Sequence, residues 1–466
     1  MALHDVQLQD TATGSTYTTD IEGRLPEQTN QLSRGQPDSF GQPQPLKEAA
    51  ELEVLPPALE CWNHPRVNLY RTLACLWCFV ILGANDAAYG ALIPYLETWY
   101  HLNYTTVAVV FLAPLLGFLV AAISNNSIHL RFGQRGLAVL ACGCHLVGYT
   151  VICFHPPYPV LIISLMVCGL GSGLTDGAWN AWIGNMANAT EVLGFLHGAY
   201  GAGAIISPVL ATALITKTGS PWYYFYYFMI GGATVEFITL VITFWKADGA
   251  TFRATRSQAP TLKKGSMRQA LLTREYGRIN WVCAIFILGY VGAEVILSGW
   301  IVTFMIRVRG GEAFSSGMVA TGFWLGITLG RVLLGFVTPR IGEKLAIMLY
   351  LPITMGLELI FWLVPGFYVS AVAVSFQGFF LGPLFPAAVV ATTRLLPQHL
   401  HVSSIGFAVA IGGCGSALLP FAVGAIAQAK GVEVLQPFTL AILGVIFIVW
   451  LFLPEMSVKR TRPRWA

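Results

Sequence analysis

Six ionisable side chains stand inside stretches that are otherwise apolar: Asp86, Asp176, Glu236, Glu294, Arg331 and Glu358. Five are acids and one is a base, so they cannot all neutralise one another. An ionisable group at mid-membrane costs at least about 2.5–3.5 kcal/mol, so it normally faces a cavity or a partner. A carboxyl in a poorly solvated cavity holds its proton more tightly than in water and can exchange it near neutrality. The chemistry these residues suggest is reversible proton binding; the alternative for each is a structural hydrogen bond.

Other chemistries find no residues to carry them. The sequence holds no Ser-His-Asp arrangement, no paired-histidine metal motif and no Walker A loop, so neither a catalytic site nor a cofactor is expected. The run Gly169-Leu170-Gly171-Ser172-Gly173 has no strand before it and lies in an apolar segment, where small residues let helices approach closely. Cys75 and Cys78 have C-x-x-C spacing, but a zinc site needs two more ligands, so they read as small packing residues and no metal is expected.

The elements that must position the charges are helices. The chain has 466 residues, 55% hydrophobic and 11% charged. Soluble domains carry about 25% charged residues, so this chain needs a lipid bilayer around it. A crossing helix needs roughly 20 apolar residues. Such runs centre near 71–96, 106–124, 136–154, 159–183, 192–216 and 222–245, and again near 279–305, 317–338, 345–364, 368–393, 403–427 and 436–453. The expected fold is an all-α membrane protein of twelve transmembrane helices in two six-helix repeats. The boundaries are a polar, disordered cytoplasmic tail over 1–65, repeats over 66–245 and 279–455, a basic cytoplasmic loop over 246–278 and a basic tail over 456–466. Lys and Arg concentrate on one side of the spans, which places both termini in the cytoplasm. A multi-pass protein of the plasma membrane and a monomer are expected, with no nucleic acid as partner. The Trp222–Phe228 aromatic run is an interfacial anchor. Asn103-Tyr104-Thr105 is a glycosylation sequon in the first outer loop; those at Asn125 and Asn188 fall on the cytoplasmic side.

The two halves repeat each other. Arg131-Phe132-Gly133-Gln134-Arg135 follows the second span and Arg340-Ile341-Gly342-Glu343-Lys344 the eighth. Gly201-Ala202-Gly203 stands before Pro208 as Gly413-Cys414-Gly415 stands before Pro420, and Gly169/Gly173 matches Gly378/Gly382. Three motif pairs in one order at nearly one offset describe an alternating-access carrier with its site at the midplane between repeats. Arg131, Gly133, Arg135, Arg340 and Gly342 are then gating-loop residues. In the same register Asp176 falls opposite Phe385, so packing symmetry does not demand an acid there.

Asn85-Asp86 ahead of Pro94, Gly169-Leu170-Gly171 ahead of Asp176 and Asn180, and Gly203-Ala204-Ile205-Ile206 resemble the fucose–proton symporter branch of the major facilitator superfamily. The run from Gly322-Phe323-Trp324 through Gly330-Arg331 to Gly335 looks like fungal members of it. The resemblance covers about residues 66–455. It implies that the first, fourth, seventh and tenth spans line the cavity and that Asp86 and Asp176 couple protons and bind sugar. Glu294, Asn85, Asn180, His197, Trp179 and Trp300 are candidate solute contacts, His197 being equally readable as a packing histidine. Glu236 and Glu358, on peripheral spans, read as structural groups. The chain departs from the family pattern at the loop signature, where Asn126, Leu130 and Pro339 replace the usual Gly and acids, and no family charge relay is carried over. The fourth-span acid is Asp rather than the longer Glu. The function expected is transport of a small organic solute, coupled to protons. Export of a fungal secondary metabolite and a non-transporting nutrient sensor are the alternatives; an enzyme is not expected.

Overall fold

The computed structural model describes residues 60–187, 189–258, 267–397 and 400–454. Most of the N-terminal tail, the Asn188 sequon, Lys263 and Lys264 of the basic loop and the C-terminal tail lie outside the described residues. The rest is almost entirely helical.

Five helical segments cover the first half: α1 (Arg66–Tyr100), the short α2 (Tyr104–Val107) running into α3 (Val109–Cys153), α4 (Tyr158–Gly184), α5 (Ala189–Thr216) and α6 (Tyr224–Thr243). Two shorter helices, α7 (Gly249–Gln258) and α8 (Met267–Leu272), fall in the central loop. The second half contains α9 (Arg274–Arg307), α10 (Ala313–Ile341), α11 (Glu343–Leu363), α12 (Phe367–Leu381), α13 (Leu384–Leu395), α14 (His401–Lys430) and α15 (Leu435–Leu451).

Eleven described segments are long and apolar enough to cross a membrane. One of them, Tyr104–Cys153, has 50 residues, about 75 Å of helix at 1.5 Å per residue. That is more than twice the hydrocarbon thickness of roughly 30 Å. It is divided at Gly133, whose φ of 69° and ψ of −166° turn the chain back. The second and third spans therefore meet at a glycine hinge with no loop between them, and twelve crossings result. The corresponding junction in the second half, between α10 and α11, is Gly342 at φ 90°. Both glycines occupy conformations that a Cβ makes costly. The tenth span is broken at Gly382-Pro383 into α12 and α13.

Glycine contacts repeat as the motifs do. Gly169 lies against the Pro114 backbone and Gly378 against the Phe323 carbonyl; Gly203 lies against Val80 and Gly415 against Leu288. Helices pack in lipid by close approach of small residues, so the repeated glycines set α4 on α3, α12 on α10, α5 on α1 and α14 on α9.

The two sets of helices meet through α5 on α10, α1 on α9 and α14 on α2 and α3. Gly90 abuts the Ser298 backbone, Gly317 abuts Thr212 and Gly201 abuts Thr328. Arg307 pairs with Glu97 at 3.3 Å, the Tyr104 N–H donates to Gln428 Oε1 at 2.9 Å, and Lys217 sits 4.4 Å from the Phe314 ring centre. These contacts lie at mid-helix or toward the end of the bundle marked by Tyr100, Thr216 and Ala313.

Candidate functional site

Asp86 lies midway along α1, half-buried. Gly83, one turn earlier, lets the α5 backbone at Tyr200 come directly against α1. The Tyr200 hydroxyl thereby donates to Asp86 Oδ2 at 3.0 Å. Asn85 Nδ2 donates to Asp86 Oδ1 at 3.2 Å and to the Tyr89 hydroxyl at 3.1 Å. Asp176 is half-buried on α4, and Asn180 one turn on donates to its Oδ1 at 2.9 Å. The two aspartates are close enough for their charges to interact. Each acid thus has an amide beside it, which holds the carboxyl group in a fixed orientation.

The second set of helices faces them with an ion pair. Arg331 Nη2 on α10 donates to both Glu294 oxygens on α9, at 3.1 and 3.4 Å, and to the Tyr290 hydroxyl at 3.4 Å. Its Nε donates to the Gly382 carbonyl at 3.3 Å, at the break of the tenth span. Pro383 has no N–H to give to the preceding turn, so that turn has a spare carbonyl; Gly330 brings α10 against it at Phe379. Glu294 is 7% exposed, whereas the Arg331 side chain remains 25% exposed. Tyr200 joins the two sets: it interacts electrostatically with Asp86, Glu294 and Arg331, and its ring lies 6.3 Å from that of Trp324 on α10. His197, one turn before Tyr200, is exposed, sits edge-on to Phe79 at 5.8 Å and interacts with Arg331.

The structure therefore brings Asp86, Asn85, Asp176, Asn180, Glu294 and His197 into one polar cluster between the helix sets. It does not bring in the two tryptophans. Trp179 is fully buried within the first half and stacks on Phe244 at 4.6 Å. Trp300 is fully buried where the halves meet, its Nε1 donating to the Pro420 carbonyl at 2.9 Å and its ring beside Tyr104 and Phe111. Both lie outside the polar cluster in this conformation; a helix apolar all round gives no sign of which aromatic faces the cavity.

Sequence reasoning missed Tyr200, lost in a glycine-rich run, and gave Arg331 no role although it stood out as the lone cation among the spans. It also missed His145. That ring, fully buried, lies 3.1 Å from Glu236 Oε2 on α6 and 3.3 Å from Ser172, with Cys142 Sγ 3.5 Å from Glu236. Glu358 is likewise fully buried and accepts from Gln377 Nε2 at 2.7 Å.

The hinge loops carry acids whose partners the sequence pattern did not reveal. At the first, Arg135 donates from its N–H to the Ala247 carbonyl at 3.0 Å and stacks its guanidinium on Trp245. Asp248 borders a small cavity with Arg131 and Arg135, and Arg253 of α7 donates to the Leu130 carbonyl at 2.6 Å. Hydrogen bonds from the Thr251 N–H and hydroxyl, both 2.9 Å, together with the charge of Arg135, hold the Asp248 carboxyl below the usual carboxylate range. At the second loop Arg340 is exposed in the last turn of α10, while Glu343 pairs with Arg394 at 2.6 Å. Asn103 caps α2, its Oδ1 accepting from the Thr106 N–H at 2.8 Å. Among the described residues no group of three or more His, Cys, Asp or Glu could hold a metal ion, and the nine cysteines are unpaired.

Known proteins share this architecture. The fold matches the crystal structure of a D-xylose-proton symporter with a TM-score of 0.66 at 13% identity, over 84% of this chain and 98% of that one. It matches the Escherichia coli fucose:proton symporter with a TM-score of 0.56 at 17% identity, over 84% and 99%. In sequence, the chain is 30% identical over 417 residues to "Bypass of stop codon protein 6" of Saccharomyces cerevisiae, covering 84% of this chain and 83% of that protein. It is 23% identical to the Bacillus subtilis glucose/mannose transporter GlcP, over 74% of this chain and 85% of the relative. The family model described as the Major Facilitator Superfamily matches residues 75–349 and 297–466. Twelve crossings, paired glycine hinges and a polar cluster where the helix sets meet accord with that match over most of the chain, which belongs to the Major Facilitator Superfamily.

Proposed function

We propose that this transporter carries a small polar, sugar-like solute by alternating access and couples its movement to protons. The observation that carries the reading is the pairing of two half-exposed mid-helix carboxyls, Asp86 and Asp176, each braced by an amide, across from the Glu294–Arg331 pair. Glu294 and Arg331 neutralise each other and leave the two aspartates to be satisfied by protons when the cleft is closed to water. Asp86 and Asp176 take and release the proton; Asn85, Asn180, Glu294 and His197 offer hydrogen bonds to hydroxyl groups of the solute. The glucose/mannose transporter among the relatives and the xylose and fucose symporters among the structural neighbours support a sugar-like solute. The Lys and Arg distribution supports cytoplasmic termini, with the glycine hinges at Gly133 and Gly342 on the cytoplasmic side. Both aspartates and the Glu294–Arg331 pair lie within one chain, so a single copy carries the whole proposed site.

The test is solute-driven proton movement in proteoliposomes carrying a pH dye, with D-glucose, D-mannose, D-xylose and L-fucose offered in turn. One of these sugars should alkalinise the external medium, and Asp176→Asn should abolish that signal while sparing sugar exchange. Exchange without proton movement in the wild type would leave a uniporter. Binding without exchange would leave a sensor.

A further inference from the structure

Away from the polar cluster, α10 and α12 part to leave a groove of about 400 Å³. It lies at the end of the bundle marked by Thr216 and Ala313, and the sequence of α10 explains it. Gly330 and Gly326 rest against the Phe379 and Ser375 carbonyls, and Gly322 against the Ser375 hydroxyl, so the two helices touch there. The same four-residue row continues toward the start of α10 with Met318 and Phe314, whose bulk holds the helices apart. These two face Phe367, Tyr368, Ala371 and Phe376 of α12 across the groove. From Phe314 to Gly322 the helix rises about 12 Å, most of one leaflet's hydrocarbon depth of roughly 15 Å. The groove therefore tapers from the membrane surface inward, and its walls are apolar. At its mouth stands a cation: Lys217, just past the end of α5, holds its Nζ 4.4 Å from the centre of the Phe314 ring. Lys217 is exposed, and the four ion pairs among the described residues include neither it nor Glu312, the acid that precedes α10.

We propose that this groove is a binding site for one anionic phospholipid, with an acyl chain between α10 and α12 and the phosphate on Lys217. The ammonium group sits at the level of the lipid headgroups, where a cation without an acidic partner meets phosphate. A flexible acyl chain follows a tapering cleft, whereas the rigid fused rings of a sterol do not, and a sterol brings no charge for Lys217. Arg309 is the other cation beside α12, and it is already engaged: it donates to the Ser370 hydroxyl and to the Phe361 and Trp362 carbonyls. Lys217 belongs to the first set of helices and the groove to the second. A lipid held by both joins the halves at the end where they touch, so its binding stabilises the arrangement closed at that end. The site is independent of which solute is carried and of whether protons move with it.

The test is native mass spectrometry of the purified full chain in detergent, titrated with dioleoylphosphatidylglycerol, dioleoylphosphatidylcholine or cholesterol. The wild type should hold one phosphatidylglycerol about tenfold more tightly than phosphatidylcholine, and its melting temperature should rise more with the former. Lys217→Gln should bring phosphatidylglycerol down to the phosphatidylcholine level. Lys430→Gln, which removes another exposed cation at the same end, should keep the wild-type preference. Ala371→Phe, which fills the groove, should lose both phospholipids. An unchanged preference in Lys217→Gln overturns the proposal, as does an equal loss in Lys430→Gln, which would mean diffuse attraction to surface charge. Retention of phosphatidylglycerol by a folded Ala371→Phe variant also overturns it. So does displacement of the phospholipid by cholesterol, which would assign the groove to a sterol. Should Ala371→Phe not fold, the comparison of Lys217→Gln with Lys430→Gln decides, since both positions are exposed.

Discussion

Tyr200 is the residue on which the two halves of the site converge. Its hydroxyl gives Asp86 the hydrogen bond that crosses from α5 to α1. A hydrogen bond to a charged group contributes about 1.5–3 kcal/mol. Tyr200→Phe should therefore lower pH-gradient-driven accumulation about tenfold while leaving exchange nearly intact, measured side by side in vesicles. His145 and Glu236 form a different kind of pair, dry on all sides. Removing one partner strands a buried charge at a cost of about 3–5 kcal/mol, while removing both does not. We expect His145→Leu to melt well below wild type in detergent, and His145→Leu/Glu236→Leu to recover most of the loss; equal melting of the two variants would contradict a charged pair. Both contacts show where sequence reasoning stops. The acids were legible because an isolated carboxyl in an apolar run is conspicuous. Their partners stand 114 and 91 residues away, and a helical period carries no information about which face of a distant helix will arrive there.

Among the elements, the hinge between the second and third spans is the most constrained. Gly133 takes a positive φ and has the Asp248 backbone immediately over the place a Cβ would occupy, whereas Gly342 has open space there. Alanine at either position strains the backbone by about 1–3 kcal/mol, and Gly133→Ala must in addition push α7 away. Melting temperatures should fall further for Gly133→Ala than for Gly342→Ala. The glycines themselves could be read in the sequence through the repeated Arg-x-Gly motif; the docking of α7 could not, because it depends on a loop contact outside the repeat. Asp248 begins α7, and its folded titration lies below the unfolded value of 3.8. Its contribution is thus complete above that value and is lost as pH falls through the lower folded value. The protection of amides in residues 249–258, taken relative to the intrinsic exchange rate at each pH, should fall below about pH 4 in the wild type, and Asp248→Ala should show the lower protection already at neutral pH.

At the scale of the whole molecule, the order of spans and the glycine-paired halves follow directly from apolar run lengths and motif spacing. Which end of the cleft is closed does not, since that choice is a balance between two arrangements of one sequence. The closed end rests on glycine contacts: Gly90 on the Ser298 backbone, with Gly317 and Gly201 against threonine side chains. Gly90→Val inserts a side chain where none fits, and it should shift the carrier toward the arrangement open at that end. Reaction of a thiol reagent with Cys placed at Ser298 should then become faster than in a Gly90 control carrying the same cysteine. These glycine contacts have a bioenergetic consequence. A proton crosses a membrane along any unbroken file of water molecules, with no help from a carboxyl group. Where main chain rests on main chain, such a file has no room to form. The same missing methyl groups that let the helices touch therefore insulate the membrane, so that protons do not leak through the carrier itself.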